Sequence, residues 1–232
     1  MKLCLFFGTF NPIHNAHIAM AEFVLNEFSF DKIIFIPAYK PPHKNYDTNL
    51  CKHRLEMVKL ATKYNSAFEV SDIEFRREGK SYTYLTILEI MKAQKLKDLS
   101  LRGECGAFDV AIAQSFNNDE ITTSHSSNAP RNDMINQLSF IIGTDAFKNI
   151  KTWYETDKLK NLIDFIIFKR ENEIVEFNEL KKEGYNFKFS KMPFFDISST
   201  EIRKKVKNKE PISNLVCKEV EEYIDKNGLY RN

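Results

Sequence analysis

Lys2-Leu3-Cys4-Leu5-Phe6-Phe7-Gly8-Thr9-Phe10-Asn11-Pro12-Ile13-His14-Asn15-Ala16-His17 is the stretch on which the fold turns. Residues 2–7 form a short apolar run that reads as a buried strand. Gly8 to Pro12 breaks that run, and a helical pattern follows over residues 13–28, with Ile18, Ala21, Val24, Leu25 and Phe28 on one face. Residues 33–38 (IIFIPA) are again strand-like and end at the Pro41-Pro42 pair. Strand, helix, strand in that order is the mark of a parallel sheet built with crossover helices.

The alternation continues outward. Residues 52–64 and 82–94 read as helices, residues 68–75, 138–143 (LSFIIG) and 164–168 (DFIIF) as strands, and 187–190 as a further short strand. Residues 202–207 and 216–227 read as helices, the second stopped by Gly228. The expected architecture is a Rossmann-like α/β fold, a doubly wound parallel sheet with flanking helices and a small C-terminal helical part, in one domain of residues 1–232. One stretch breaks the rhythm. From 96 to 137 the apolar period fades and residues 117–136 are rich in Ser, Thr, Asn and Asp, so this reads as a surface insertion, with residues 108–116 able to form a small element inside it.

Bulk properties narrow the function. A length of 232 residues suits one sizeable α/β domain. Glycine is scarce at 7 residues, so a glycine inside a motif carries information, and 20 phenylalanines imply a core of large rings. With 34 basic and 32 acidic side chains the net charge is +2, too balanced for a nucleic-acid track or a membrane surface. Any anionic ligand must be held by a local cluster. The cysteines Cys4, Cys51, Cys105 and Cys217 are scattered without metal-ligand spacing, which fits a reducing cytoplasm and argues against disulfides or a zinc site. No signal peptide and no apolar run of membrane-spanning length is expected.

Two segments carry chemistry. Gly8 at the carboxyl end of the first strand lets main chain come close to a ligand, and the helix start behind it is a ready anion site. His14 and His17 are three apart and share a face of the first turn, where two imidazoles can donate to phosphate oxygens. The bland account, a connection with incidental histidines, is the weaker one, since two of the chain's five histidines stand where open α/β sheets bind ligands. A zinc pair would need a further ligand, and none stands nearby. The second segment is Ile197-Ser198-Ser199-Thr200-Glu201-Ile202-Arg203. Ser198 and Glu201 have the spacing of a helix capping box. Three consecutive hydroxyls with Arg203 one turn inside go beyond a cap and suit a second phosphate site.

The first segment resembles the phosphate loop of the HxGH-type nucleotidyltransferase superfamily, and the second resembles that superfamily's ISSTxxR motif. Pro41-Pro42-His43-Lys44, Ser81-Tyr82-Thr83, residues 140–145 (FIIGTD), Trp153-Tyr154 and Asn227-Gly228-Leu229-Tyr230 resemble the bacterial nicotinate mononucleotide adenylyltransferase family. That resemblance spans nearly all of the chain outside the insertion. It implies transfer of the AMP part of ATP to nicotinate mononucleotide, with release of pyrophosphate and Mg²⁺ riding on the triphosphate rather than in a metal cage of the protein. It further implies that Gly8, Thr9, Phe10, His14 and His17 hold the ATP phosphates, with His17 nearest the reacting α-phosphate. Ser198, Ser199, Thr200 and Arg203 would close on the triphosphate, Lys44 would approach it from a loop, and Gly143 and Asp145 would meet a ribose. Thr83, Trp153 and Tyr154 would form the pyridine pocket. His14, His17 and Arg203 are then the expected catalytic set.

The chain departs from the family pattern at three points. Phe7 stands where a glycine is usual, Asn11 where Asp is usual and Ala16 where glycine is usual, so Phe7 and Ala16 are expected to add bulk near the phosphate loop. Another nucleotidyltransferase, of amide mononucleotide or pantetheine-phosphate type, would share both phosphate motifs, though a pantetheine-phosphate type would not be expected to carry Ser81-Tyr82-Thr83 or Trp153-Tyr154. A non-catalytic nucleotide sensor would not need His14, His17 and Arg203 intact.

Overall fold

The computed structural model describes residues 1–40, 49–77, 79–101, 138–169 and 176–231, the stretch 95–101 by its backbone alone. The apolar runs become six strands: β1 (Leu3–Gly8), β2 (Lys32–Pro37), β3 (Phe68–Val70), β4 (Leu138–Gly143), β5 (Asp164–Phe168) and β6 (Phe187–Phe189). All pair in parallel in the order β3-β2-β1-β4-β5-β6. The chain therefore winds outward from β1 to one edge, returns, and winds from β4 to the other, the doubly wound arrangement expected from the sequence.

Helices α1 (Asn15–Glu27), α2 (Asn49–Thr62), α8 (Ser199–Lys207) and α9 (Lys218–Lys226) cover one face of this sheet. Alternate strand residues Phe6, Ile33, Phe35, Ile141, Ile166 and Phe168 meet Val24 of α1, Met57 and Val58 of α2, Ile202 of α8, and Val220 and Ile224 of α9. The intervening strand residues point the other way, where Phe140, Phe165 and Phe187 join Phe147, Phe177 and Tyr185 in a ring cluster with centroid separations such as 5.1 Å for Phe147–Phe165. Period-2 alternation thus feeds two cores from one sheet, and the phenylalanine-rich composition supplies both.

Several elements differ from the sequence reading. The strand expected over residues 68–75 stops at Val70, because Ser71 Oγ accepts from the Ile73 N–H at 3.4 Å and turns the chain into the short helix α3 (Ile73–Arg76). Helix α4 (Thr83–Leu101) runs past residue 94 and into the first residues of the expected insertion. Helices α5 (Thr144–Lys148), α6 (Thr156–Leu159) and α7 (Asn178–Lys182) and the 3₁₀ turn Ile150–Thr152 are too short to show a 3.6-residue period in the sequence. The remainder of the insertion, including the candidate element at 108–116, lies outside the described residues, as does the Pro41 to Lys44 loop. The chain divides into two compact units, Met1–Tyr84 with Asn136–Asn232, and Leu85–Ile135. The first holds the whole sheet and every described residue discussed below. Among the described residues no helix is long and apolar enough to cross a membrane.

Candidate active site

Strand pairing opens the site. The β1–β4 ladder runs from Leu3–Leu138 to Leu5–Phe140, whereas both strands continue to Gly8 and Gly143. The strands part at their carboxyl ends, at the point where the winding reverses, and that is where open α/β sheets bind ligands. Gly8, the loop that follows it and α1 stand on one side of this point. Gly143 and Asp145, at the head of α5, stand on the other.

The loop from Thr9 to His14 is not held by regular structure, so its carbonyls must accept from donors elsewhere. Arg54 Nη1 donates to the Thr9 carbonyl at 2.6 Å, Arg203 Nη1 to the Asn11 carbonyl at 2.7 Å, and Ser199 Oγ to the Pro12 carbonyl at 2.8 Å. Arg203 also donates from Nη2 to Thr200 Oγ1 at 3.2 Å, and Ser198 Oγ caps its helix by accepting from the Glu201 N–H at 3.1 Å. The second motif therefore grips the first. With five N–H donors on a guanidinium and two directed at protein, Arg203 keeps donors for a ligand.

Phe10 is folded into the core instead of the ligand space. Its φ is 48°, and its ring meets Phe6, Phe35 and the His17 imidazole. A Cβ on Gly8 would come within 2.6 Å of that ring, so Gly8 is needed for packing as well as for approach to a ligand. The ring of Phe10 is thus taken up by packing. Phe7 does not crowd the loop as expected. Its side chain alternates to the other face, where it packs edge-on against Phe140 with centroids 5.0 Å apart, and Phe140 in turn meets Trp153 at 5.9 Å. Ala16 is buried in the core.

His14 and His17 stack with ring centroids 3.7 Å apart. The His14 N–H donates to His17 Nδ1 at 3.3 Å, which places the neutral-ring proton of His17 on Nε2 and makes that atom the donor. Burial lowers the His14 pKa from 6.5 to about 4. Burial, and secondarily the neighbouring His14, hold His17 well below its ordinary value. Both rings are therefore neutral near pH 7. The helix start is less open than the sequence implies. The Asn15 N–H is taken by the Leu215 carbonyl at 2.8 Å and the His17 N–H by the His14 carbonyl at 2.9 Å. Fewer bare N–H groups therefore stand at this helix start than its sequence implies.

The two segments expected to form a pyridine pocket meet through their tyrosines. The Tyr82 ring lies 4.7 Å and the Tyr84 ring 6.3 Å from Tyr154, bracketing Thr83, and Trp153 is half-buried against Phe140. Ser81 and Lys40 exchange two bonds, Ser81 N–H to the Lys40 carbonyl at 3.0 Å and Lys40 N–H to Ser81 Oγ at 3.0 Å. Ser81 thereby ties this pocket to the end of the segment leading into Lys44, which itself lies outside the described residues. Arg54 escaped the sequence reading. It is fully buried and also reaches the Tyr39 carbonyl at 3.3 Å, and the available signal was an arginine set on the stripe Cys51, Met57, Val58 of α2. Among the described residues no cluster of three His, Cys, Asp or Glu could hold a metal ion.

Residues 5–205 match the cytidylyltransferase-like family. The nicotinate-nucleotide adenylyltransferase of Bacillus subtilis is 36% identical over 232 residues, spanning 100% of this chain and 99% of the relative. The chain belongs to the nicotinate-nucleotide adenylyltransferase family. The probable nicotinate-nucleotide adenylyltransferase of Fusobacterium nucleatum is 35% identical over 227 residues, covering 97% of this chain and 98% of the relative. In fold, the chain is similar to the Plasmodium falciparum nicotinic acid mononucleotide adenylyltransferase solved with NaAD, with a TM-score of 0.66 over 99% of this chain and 97% of that one at 20% identity.

Two outcomes follow from this geometry. Gly143 has open space where a Cβ would lie, so nothing in the protein demands a glycine there. Gly143→Ala is expected to keep the wild-type melting temperature while weakening ATP binding, whereas Gly8→Ala is expected to lose about 1–3 kcal/mol of stability by overpacking against Phe10. Parallel calorimetry and ATP titration check both, and an inert Gly143→Ala would remove that position from the ligand space.

The second outcome is pH-dependent stability. His14 is 7% exposed, and its folded pKa lies below its ordinary 6.5. The unfolded chain takes up this proton first, so the contribution is intact above pH 6.5 and is lost as pH falls from 6.5 towards 4. The loss amounts to about 3 kcal/mol, with His17 acting in the same direction. Urea unfolding across this range should show the decline in wild type and a flatter profile in His14→Asn. Equal slopes in the two proteins would contradict it.

Proposed function

We propose that this chain transfers the AMP part of ATP to the 5′-phosphate of nicotinate mononucleotide, giving nicotinate adenine dinucleotide and pyrophosphate, a step of NAD biosynthesis in the cytoplasm. The observation that carries this reading is the likeness to the Bacillus subtilis enzyme along the whole chain. An oxygen of the mononucleotide phosphate attacks the α-phosphorus of ATP. The bond from that phosphorus to the bridging oxygen of the β-phosphate breaks, and its electron pair leaves with pyrophosphate. A phosphate dianion needs no side-chain base, so the work of the protein is alignment and charge stabilisation.

The residues at the parting of β1 and β4 suit that work. His17, with its proton on Nε2, donates to the α-phosphate, and His14 stacked on it donates to the same polyanion. As negative charge gathers, both pKa values rise from their low resting positions and the rings can share the charge. Arg203 couples phosphate binding to loop geometry, because its other donors already hold the Asn11 carbonyl. Ser198, Ser199, Thr200 and Lys44 line the triphosphate, and Gly143 and Asp145 meet a ribose. Thr83, Trp153 and Tyr154 receive the pyridine ring. Imidazoles and guanidinium suit phosphate oxygens directly, and Mg²⁺ would be carried on the triphosphate, where it would supply neutralisation of charge.

His17→Ala is expected to lower kcat on the order of a hundredfold or more with a much smaller change in ATP KM. Pyrophosphate release measured with ATP, Mg²⁺ and nicotinate mononucleotide tests it, and near-normal turnover would remove His17 from the reacting centre.

The acid mononucleotide should be preferred over the amide. A carboxylate only accepts hydrogen bonds, whereas a carboxamide NH₂ placed against pocket donors leaves a donor facing a donor. Such a buried mismatch costs about 1–3 kcal/mol, or roughly tenfold to hundredfold in kcat/KM. Equal kcat/KM for the two would overturn the pocket assignment while leaving adenylyl transfer in place. Turnover of pantetheine phosphate in their stead would move the chain to another branch of the superfamily.

A further inference from the structure

The last residues of the chain return to the phosphate loop. Helix α9 ends at Lys226, and Gly228 turns the backbone with φ 61°. Leu229 then drops into the core beside Val220 and Ile224. Tyr230 is left-handed as well, φ 63°, an unfavourable backbone for a residue that carries a Cβ. Something must offset that conformation, and the Tyr230 hydroxyl supplies it by donating to Asn11 Oδ1 at 2.7 Å across 219 residues of sequence.

Asn11 is the most constrained member of the loop. Its carbonyl accepts from Arg203, its neighbour Pro12 is held by Ser199, and its side chain is held by the tail. With Oδ1 committed to the hydroxyl, the carboxamide cannot flip freely, and its NH₂ is left as the donating side. Burial raises the Tyr230 hydroxyl pKa far above its usual range, so the group remains a donor at every working pH.

We infer that Tyr230 is a positioning residue for adenylyl transfer, acting through Asn11 to fix the phosphate loop in the conformation that aligns the triphosphate. The inference rests on reading residues 8–17 as the triphosphate loop. Asn in place of the family's usual Asp is compatible with it, because either side chain offers the hydroxyl an acceptor.

The test is a double-mutant cycle on full-length protein with His17→Ala as a control. Tyr230→Phe keeps the ring and its packing and removes one hydroxyl. It is expected to lower kcat about tenfold, as loss of one aligning hydrogen bond does, with the mononucleotide KM close to wild type and the melting temperature modestly lowered, since the hydroxyl no longer offsets the left-handed backbone. In an Asn11→Ala background the same change should have no further effect on kcat, and in an Asn11→Asp background it should keep its effect. A Tyr230→Phe protein with wild-type kcat, or losses that simply multiply with those of Asn11→Ala, would overturn the inference. Failure of the loop reading is separate: there, His17→Ala would also turn over normally.

Discussion

A loop of six residues, held by three donors from two distant parts of the chain, is the constraint on which the site depends. Main-chain carbonyls that no strand or helix satisfies are costly when withdrawn from water. Here Arg54 answers for Thr9, Arg203 for Asn11 and Ser199 for Pro12. Two of these donors are guanidinium groups, whose planar, rigid geometry fixes direction as well as distance. The loop can then keep a left-handed Phe10, and the imidazoles of α1 keep their place above the end of β1. Because Arg203 belongs to the segment expected to meet phosphate, binding and loop geometry share one side chain.

Electrostatically the resting site is quiet. Two stacked imidazoles that shed protons through burial avoid like-charge repulsion at 3.7 Å and cost the folded protein little at neutral pH. In the proposed role an arriving triphosphate would reverse the balance, since negative charge at the ring edges favours the protonated forms. A permanently charged pair would hold ATP and pyrophosphate alike, whereas neutral rings able to gain charge respond to charge as it develops.

The departures from the family pattern have a shared physical account. A bulky residue at position 7 is accommodated because strand alternation sends its ring to the face that holds Phe140 and Trp153, away from the phosphates. The absence of a side chain at Gly8 is filled by the ring of Phe10, which arrives from two residues along. A cluster of Phe6, Phe10, Phe35 and His17 thus anchors the base of that histidine in the core, so the position of a proposed phosphate donor is tied to packing. Rigid support of this kind is what alignment-driven catalysis requires.

By itself the sequence determined the alternation of strands and helices, the carboxyl-end position of Gly8, His14 and His17, and the family. Those features are local: a period of two or 3.6, a glycine at a strand end, a pair three residues apart. Short elements such as α5, α6 and α7 carry too few residues to show a period, and the Ser71 turn that ends β3 early hides inside an apolar run. Tertiary structure alone decided the strand order, the parting of β1 and β4, and the partners of the loop. Arg54 reaches Thr9 across 45 residues, Arg203 reaches Asn11 across 192 and Tyr230 reaches Asn11 across 219. Only closure of the sheet around β1 brings such pairs together, since a hydrogen bond depends on distance in space and leaves no periodic trace along a chain.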